Sequence, residues 1–139
     1  MRLKIVAVII ILTNLVLTSC EDSLDLLSDD SRDAFVGNWS VSEESTRKSV
    51  PIFYEVSIEK SASDSTLVNI NNFYGLDYNV SVEAVVLGSG ITIHNQTESG
   101  ITFEGSGNIA YNDKTIKWIY SADYNNGTIY QVKATYTKK

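Results

Sequence analysis

From Ala34 to Lys139 apolar and polar residues alternate with a period of two, and no window of helical periodicity competes with that pattern. Such alternation requires one buried side and one wet side, which restricts the chain to antiparallel sheet. Eight runs carry it. Asn38 to Thr46 has Trp39 and Val41 on one face, and Phe53 to Lys60 has Tyr54, Val56 and Ile58. Thr66 to Asn71 sets Val68 and Ile70 against Leu67 and Asn69. Asp77 to Leu87 places Tyr78, Val80, Val82 and Ala84 together, after which Val85-Val86-Leu87 breaks the alternation as a bulge or edge would. Ile91 to His94 aligns Ile91 with Ile93, and Thr102 to Ala110 aligns Phe103, Gly105, Gly107 and Ile109. Thr115 to Ala122 aligns Ile116, Trp118 and Tyr120, and Thr128 to Thr137 aligns Tyr130, Val132, Ala134 and Tyr136.

Turn residues punctuate these runs: Ser61-Ala62-Ser63-Asp64, Gly88-Ser89-Gly90, Asn112-Asp113 and Asn125-Asn126-Gly127. Asn126-Gly127 is the strongest, because a type I′ hairpin needs positive φ at both central residues. Short turns join antiparallel neighbours, so the expectation is an all-β domain. It is either a small up-and-down eight-stranded barrel or a two-sheet β-sandwich. Gly105 and Gly107 on an inward face point to sharp bending or close backbone approach. Short strands without aromatic girdles do not suit a transmembrane barrel.

Ahead of this domain, Arg2 and Lys4 precede an apolar run from Ile5 to Leu17. Its length, about 13 residues, fits the helical core of a signal peptide and falls short of the ~20 needed to span a bilayer. Leu17-Thr18-Ser19-Cys20 resembles the bacterial lipobox. The resemblance implies cleavage between Ser19 and Cys20, with acyl chains on Cys20 anchoring the protein to a membrane; residues 1–19 are then the signal peptide. Cys20 is the only cysteine, so no intramolecular disulfide competes for it.

Residues 20–33 read as a solvated acidic tether, with Glu21, Asp22, Asp25, Asp29, Asp30 and Asp33 against Arg32 alone. Residues 34–139 are the domain. Without Arg2 and Lys4 the mature chain has nine basic residues against seventeen acidic ones. That balance excludes nucleic acid as a partner, because no basic patch is present to neutralise phosphates. Glu21-Asp22 directly after the cysteine resembles the surface-export signal of Bacteroidota lipoproteins. This implies a bacterial cell envelope location, at the outer membrane and facing outward; in enterobacterial sorting an acid at that position instead favours inner-membrane retention, so the leaflet stays open. Asp22-Ser23-Leu24 and Asp64-Ser65-Thr66 resemble the O-glycosylation motif of the same group.

Phe35-Val36-Gly37-Asn38-Trp39 resembles the G-x-W signature of lipocalins, and the stretch from Asp33 to Lys139 looks like the small lipocalin-like lipoproteins of Bacteroidota. The resemblance implies that Gly37 and Trp39 close the narrow end of a barrel whose interior binds a small, mostly apolar ligand. Lys133, Lys138 and Lys139 are the cations available near the C-terminus to stack on Trp39, a place where lipocalins carry arginine. Candidate ligand-binding residues are Tyr54, Phe73, Tyr74, Tyr78, Phe103 and Trp118. The other reading is a surface module that recognises glycan or protein through loops, without an internal pocket. An interior filled by side chains, with no cavity near the ~300 Å³ lower range of ligand pockets, would rule out the first, and an exposed aromatic cluster favours the second.

No constellation in the chain carries chemistry, and no enzyme activity is expected. His94 shares with Thr92 the face opposite Ile91 and Ile93, and no nucleophile motif accompanies it. One histidine and no free thiol cannot build a zinc site. Asn71, Asn72, Asn112, Asp113, Asp123, Asn125 and Asn126 match no calcium loop, so neither metal nor cofactor is expected. Glu43 and Glu44 project to opposite faces of one strand and cannot flank a bond together. Mass spectrometry of the mature N-terminus is expected to find acylated Cys20 as the first residue; an unmodified Cys20 would sink the assignment.

Overall fold

A computed structural model describes residues 30–139. The expected signal stretch with Ser19, the expected lipidation residue Cys20 and the expected tether up to residue 29 lie outside the described residues. The eight expected strands are all present: β1 (Gly37–Ser45), β2 (Lys48–Lys60), β3 (Leu67–Asn71), β4 (Ser81–Leu87), β5 (Gly90–Glu98), β6 (Ile101–Ile109), β7 (Thr115–Asp123) and β8 (Ile129–Lys138). Each pairs antiparallel with the next, and β1 pairs with β8 from Trp39↔Lys138 to Ser45↔Val132. That last pairing closes the sheet into an up-and-down barrel and removes the sandwich alternative. The architecture is consistent with a lipocalin-like fold.

The inward registers follow the sequence alternation. Trp39, Val41, Val56, Ile58, Val68, Ile70, Val82, Ala84, Ile91, Ile93, Phe103, Trp118, Tyr120 and Tyr136 are all buried in one core. Gly105 and Gly107 face Tyr120 and Trp118 across the β6–β7 ladder. A Cβ on Gly105 would stand 2.3 Å from the Tyr120 Cβ, and one on Gly107 would stand 2.8 Å from the Trp118 indole. The two glycines therefore give the large β7 rings the space over their own backbone.

Four local expectations are corrected. Asn126-Gly127 is not a type I′ turn: positive φ falls on Asn125 and Gly127, and Tyr124 N–H bonds to the Thr128 carbonyl across a longer loop. The Asn125 amide donates to the Gly100 carbonyl and to Thr102, which holds the left-handed conformation that asparagine tolerates. The paired positive φ values of a type I′ turn occur instead at Ser99 (52°) and Gly100 (80°), between β5 and β6. Val85-Val86-Leu87 holds the alternation, with Val86 buried and Leu87 outside; the ladder irregularities lie at Glu43/Ser45 and Ile93/Gln96. Tyr78 is 58% exposed in a turn ahead of β4, because the Asp77 carboxylate accepts from Asn79 N–H and breaks the strand.

The fourth correction concerns the end of the tether. Residues 31–34 form a 3₁₀ turn capped by Asp30. The Asp30 carboxylate accepts from Arg32 and pairs with Lys60 at 2.9 Å, while Arg32 donates to the carbonyls of Asp64 and Leu67. These bonds from Arg32 first, and then from Lys60, hold the Asp30 carboxyl well below the usual carboxylate range. The turn seals the end of the barrel where β1 begins and β8 ends. Beneath it the Trp39 indole N–H donates to the Phe35 carbonyl at 2.8 Å. Lys138 lies 5.3 Å over the Trp39 ring and donates to the Ala34 carbonyl. Lysine thus covers the tryptophan where lipocalins use arginine.

Substituting Gly107 by Ala is expected to destabilise the barrel by about 1–3 kcal/mol through overpacking against Trp118. Gly105→Ala should cost more, because the clash there is with backbone. Urea unfolding followed by tryptophan fluorescence measures both, and wild-type stability in Gly105→Ala would refute the packing argument.

Candidate functional site

At the rim opposite the sealed end, strand pairing is incomplete. β3 has only five residues and pairs with β2 from Ser57 to Lys60, so the first part of β2 has no ladder partner on that side. The β3–β4 connection, Asn72 to Val80, occupies the gap. The Asn72 amide donates to the Glu55 carbonyl at 2.7 Å, and Gly75 lies against the Tyr54 ring. Residues 73–75 form a tight turn kinked at Tyr74 that drives Phe73 and Tyr74 into the barrel mouth. The Phe73 ring centroid lies 4.9 Å from Tyr120 and 5.2 Å from Phe103, and Tyr74 lies 5.5 Å from Phe103.

Asn72 and Tyr74 both adopt left-handed backbone, with φ of 61° and 60°. For a bulky residue such as tyrosine this conformation costs on the order of 1–3 kcal/mol and persists only where the surroundings enforce it. Phe73 and Tyr74 thus form a stopper that belongs to a connection and is absent from the strand pattern.

Directly below lies a polar group inside the core. Glu43 is 1% exposed and points inward between Ile52 and Ala134 on the flanking strands. One carboxylate oxygen, Oε2, accepts from the hydroxyls of both Tyr54 and Tyr120, the latter at 2.8 Å. The other, Oε1, has no hydrogen-bond partner among the described residues, and neither do the Tyr136 hydroxyl and the Trp118 indole N–H. A buried polar atom left unpaired costs about 1–3 kcal/mol, and more when charged. Burial pushes the Tyr54, Tyr120 and Tyr136 hydroxyls well above their ordinary value; Glu43 adds to all three, and the charges of neighbouring tyrosines add at Tyr54 and Tyr120.

Of the six candidate residues, five converge here: Tyr54, Phe73, Tyr74, Phe103 and Trp118 surround the upper half of the interior. Tyr78 stands apart on the outside. Gly37 and Trp39 belong to the opposite, sealed end. Glu43 was missed as an interior group although its register announced it, since it stands two residues beyond Val41 on the face of Trp39. Arg47 was missed too. Its guanidinium donates to the Tyr124 hydroxyl at 2.7 Å and lies over the Tyr124 and Tyr130 rings at the rim.

The interior as folded is filled. Cavities of about 800 and 550 Å³ lie outside it: one beside the sealing turn near Tyr111 and Asp113, the other along Lys48, Pro51, Ile119 and Lys133. His94 is exposed on the outer face of β5. Among the described residues no group of three or more His, Cys, Asp or Glu is placed to hold a metal ion. The turn carboxylates and amides cap backbone instead, as Asn112 does for Lys114 and Asp123 for Asn125. No protein-family model matches the chain, and a comparison with curated proteins finds no match.

The raised tyrosine hydroxyls set the alkaline limit of the fold. Above pH ~10 an unfolded chain releases protons that the folded barrel retains, so stability is complete below that pH and falls as pH rises beyond it. Tyr120 and Tyr136, both fully buried, each contribute a loss of about 1.4 kcal/mol per pH unit, and Tyr54 adds to it. Tyrosinate absorbance and sheet ellipticity recorded together should show these three hydroxyls ionising only as the barrel unfolds. Their ionisation within an intact barrel would contradict the burial.

Proposed function

We propose that this protein is a lipid-anchored, non-catalytic binding domain of the bacterial cell envelope. Its ligand site is the upper half of the barrel interior, beneath the Phe73–Tyr74 stopper. The observation that carries the reading is the coincidence of three buried, unpartnered polar atoms, on Glu43, Tyr136 and Trp118, with a stopper held in left-handed backbone. Buried polar groups are as a rule hydrogen-bonded, so three left unpaired at the centre of a barrel call for a partner. The filled interior excludes a guest in this closed form, so the reading requires Phe73 and Tyr74 to leave the mouth first.

Up-and-down topology supports the orientation of the domain. The chain reaches the barrel at its sealed end, through Asp30 and the 3₁₀ turn, while the turn at Thr46-Arg47 and the Asn72–Val80 connection lie at the other end. An anchor on Cys20, read from its resemblance to a lipobox, would therefore face the sealed end to the membrane and the stoppered mouth away from it. The alternative reading, recognition of a glycan by the rim, is favoured by the Tyr124–Tyr130 pair with Arg47 across both rings.

Native mass spectrometry of the full-length chain released from its membrane tests the proposal. The expected result is a small-molecule adduct, one per chain, lost on organic extraction and restored by a lipid and metabolite extract of the same cells. A chain that carries no adduct before extraction and acquires none afterwards would sink the internal-site reading and leave the rim.

A further inference from the structure

We infer that the guest of this barrel is a small organic cation: a primary or secondary ammonium on an apolar or aromatic body, with its charge against Glu43. The inference rests on the binding role proposed above and adds the chemical class of the ligand.

Glu43 is the buried ionisable acid of the described interior, and none of the described ion pairs includes it. The rim cation, Arg47, is committed to the Tyr124 hydroxyl and to two ring faces. Two tyrosyl hydroxyls serve Oε2, and Oε1 is left as an acceptor without a donor. Around it stand Trp118, Tyr120 and Tyr136, with Phe103 higher in the mouth, all buried.

A buried carboxylate with one oxygen unpaired in an aromatic-rich interior is the chemistry that recognises an ammonium group: the charge pairs with the acid, and neighbouring rings can add cation–π attraction. Other guests fit less well. An anion would be repelled, and a neutral apolar molecule would leave Oε1 buried and unpaired. A quaternary ammonium carries no hydrogen for it. The Tyr136 hydroxyl and the Trp118 N–H remain for a polar group on the body of the guest. The formal net charge of −6 draws cations toward the surface. Entry of the guest is an exchange, because Phe73 now covers Tyr120, whose hydroxyl reaches Glu43.

The test uses two probes of nearly equal shape on the full-length chain, phenethylammonium and neutral 2-phenylethanol, titrated at neutral pH by calorimetry and tryptophan fluorescence. Phenethylammonium is expected to bind at least ~10-fold tighter than the alcohol, and Glu43→Gln should bring the ratio near one. Phe73→Ala, which withdraws the stopper, should strengthen binding of the cation. The comparison of probes on the wild-type chain needs no variant and stands if either substitution fails to fold. Equal affinity for the two probes overturns the ammonium assignment while preserving an internal binding site. Failure of both probes to bind the wild-type chain and a folded Phe73→Ala overturns the internal site as well.

Discussion

The close approach of β6 to the rings of β7 is the constraint on which the barrel depends. Eight strands enclose an interior only just wide enough for side chains. This one contains Trp39, Trp118, Tyr120, Tyr136, Phe73 and Phe103, each with at most 1% of its surface exposed. Rings of that size fit because Gly105 and Gly107 present bare backbone opposite Tyr120 and Trp118. Once the β7 rings lie flat over β6, Tyr120 reaches Glu43 and Trp118 packs against Tyr136. The polar centre therefore depends on two residues without side chains.

The two ends of the barrel use different physics. At the sealed end, charges satisfy backbone: Arg32 donates to the carbonyls of Asp64 and Leu67, Lys138 to that of Ala34, and Lys60 pairs with Asp30 and Asp33. The donors and acceptors there are matched. At the stoppered end, left-handed backbone at Asn72 and Tyr74 and a half-paired β2 are held by ring contacts, the Asn72 amide and short-range bonds within the connection, such as Asn72 N–H to the Val80 carbonyl. Local stability in proteins is uneven, and segments that move for function are drawn from the less stable parts. Asn72–Val80 is the segment that the exchange proposed above would require to move.

Most of the strand pattern was legible because a period of two is a property of the chain itself. Trp118, Tyr120 and Tyr136 had only one way to face once the strands paired. Glu43 was equally legible in register, yet a carboxylate invites the assumption of solvent, and only the tertiary fold shows two tyrosines waiting for it. Turn type was less accessible. Ser99-Gly100 carries the type I′ backbone, whereas Asn125-Asn126-Gly127 is bent by the bonds of Asn125 to Gly100 and Thr102, residues far away in sequence. Asp30 and Asp33 read as tether because their local company is acidic; Lys60, which gathers them, lies on another strand. Phe73 and Tyr74 looked like mouth residues, and nothing local reveals that they turn inward.

The pairing of the first strand with the last has a consequence for the life of the molecule before it is folded. β1 cannot be covered on both sides until β8, which ends at Lys138, has been synthesised. Lys138 also supplies the cation over Trp39, so the sealed end is completed only once the end of β8 is in place. Contacts of such long sequence separation form late and slowly. A partial chain emerging from the ribosome holds an open sheet with no latch. It remains threadable until β8 has been made, as the export proposed above would require.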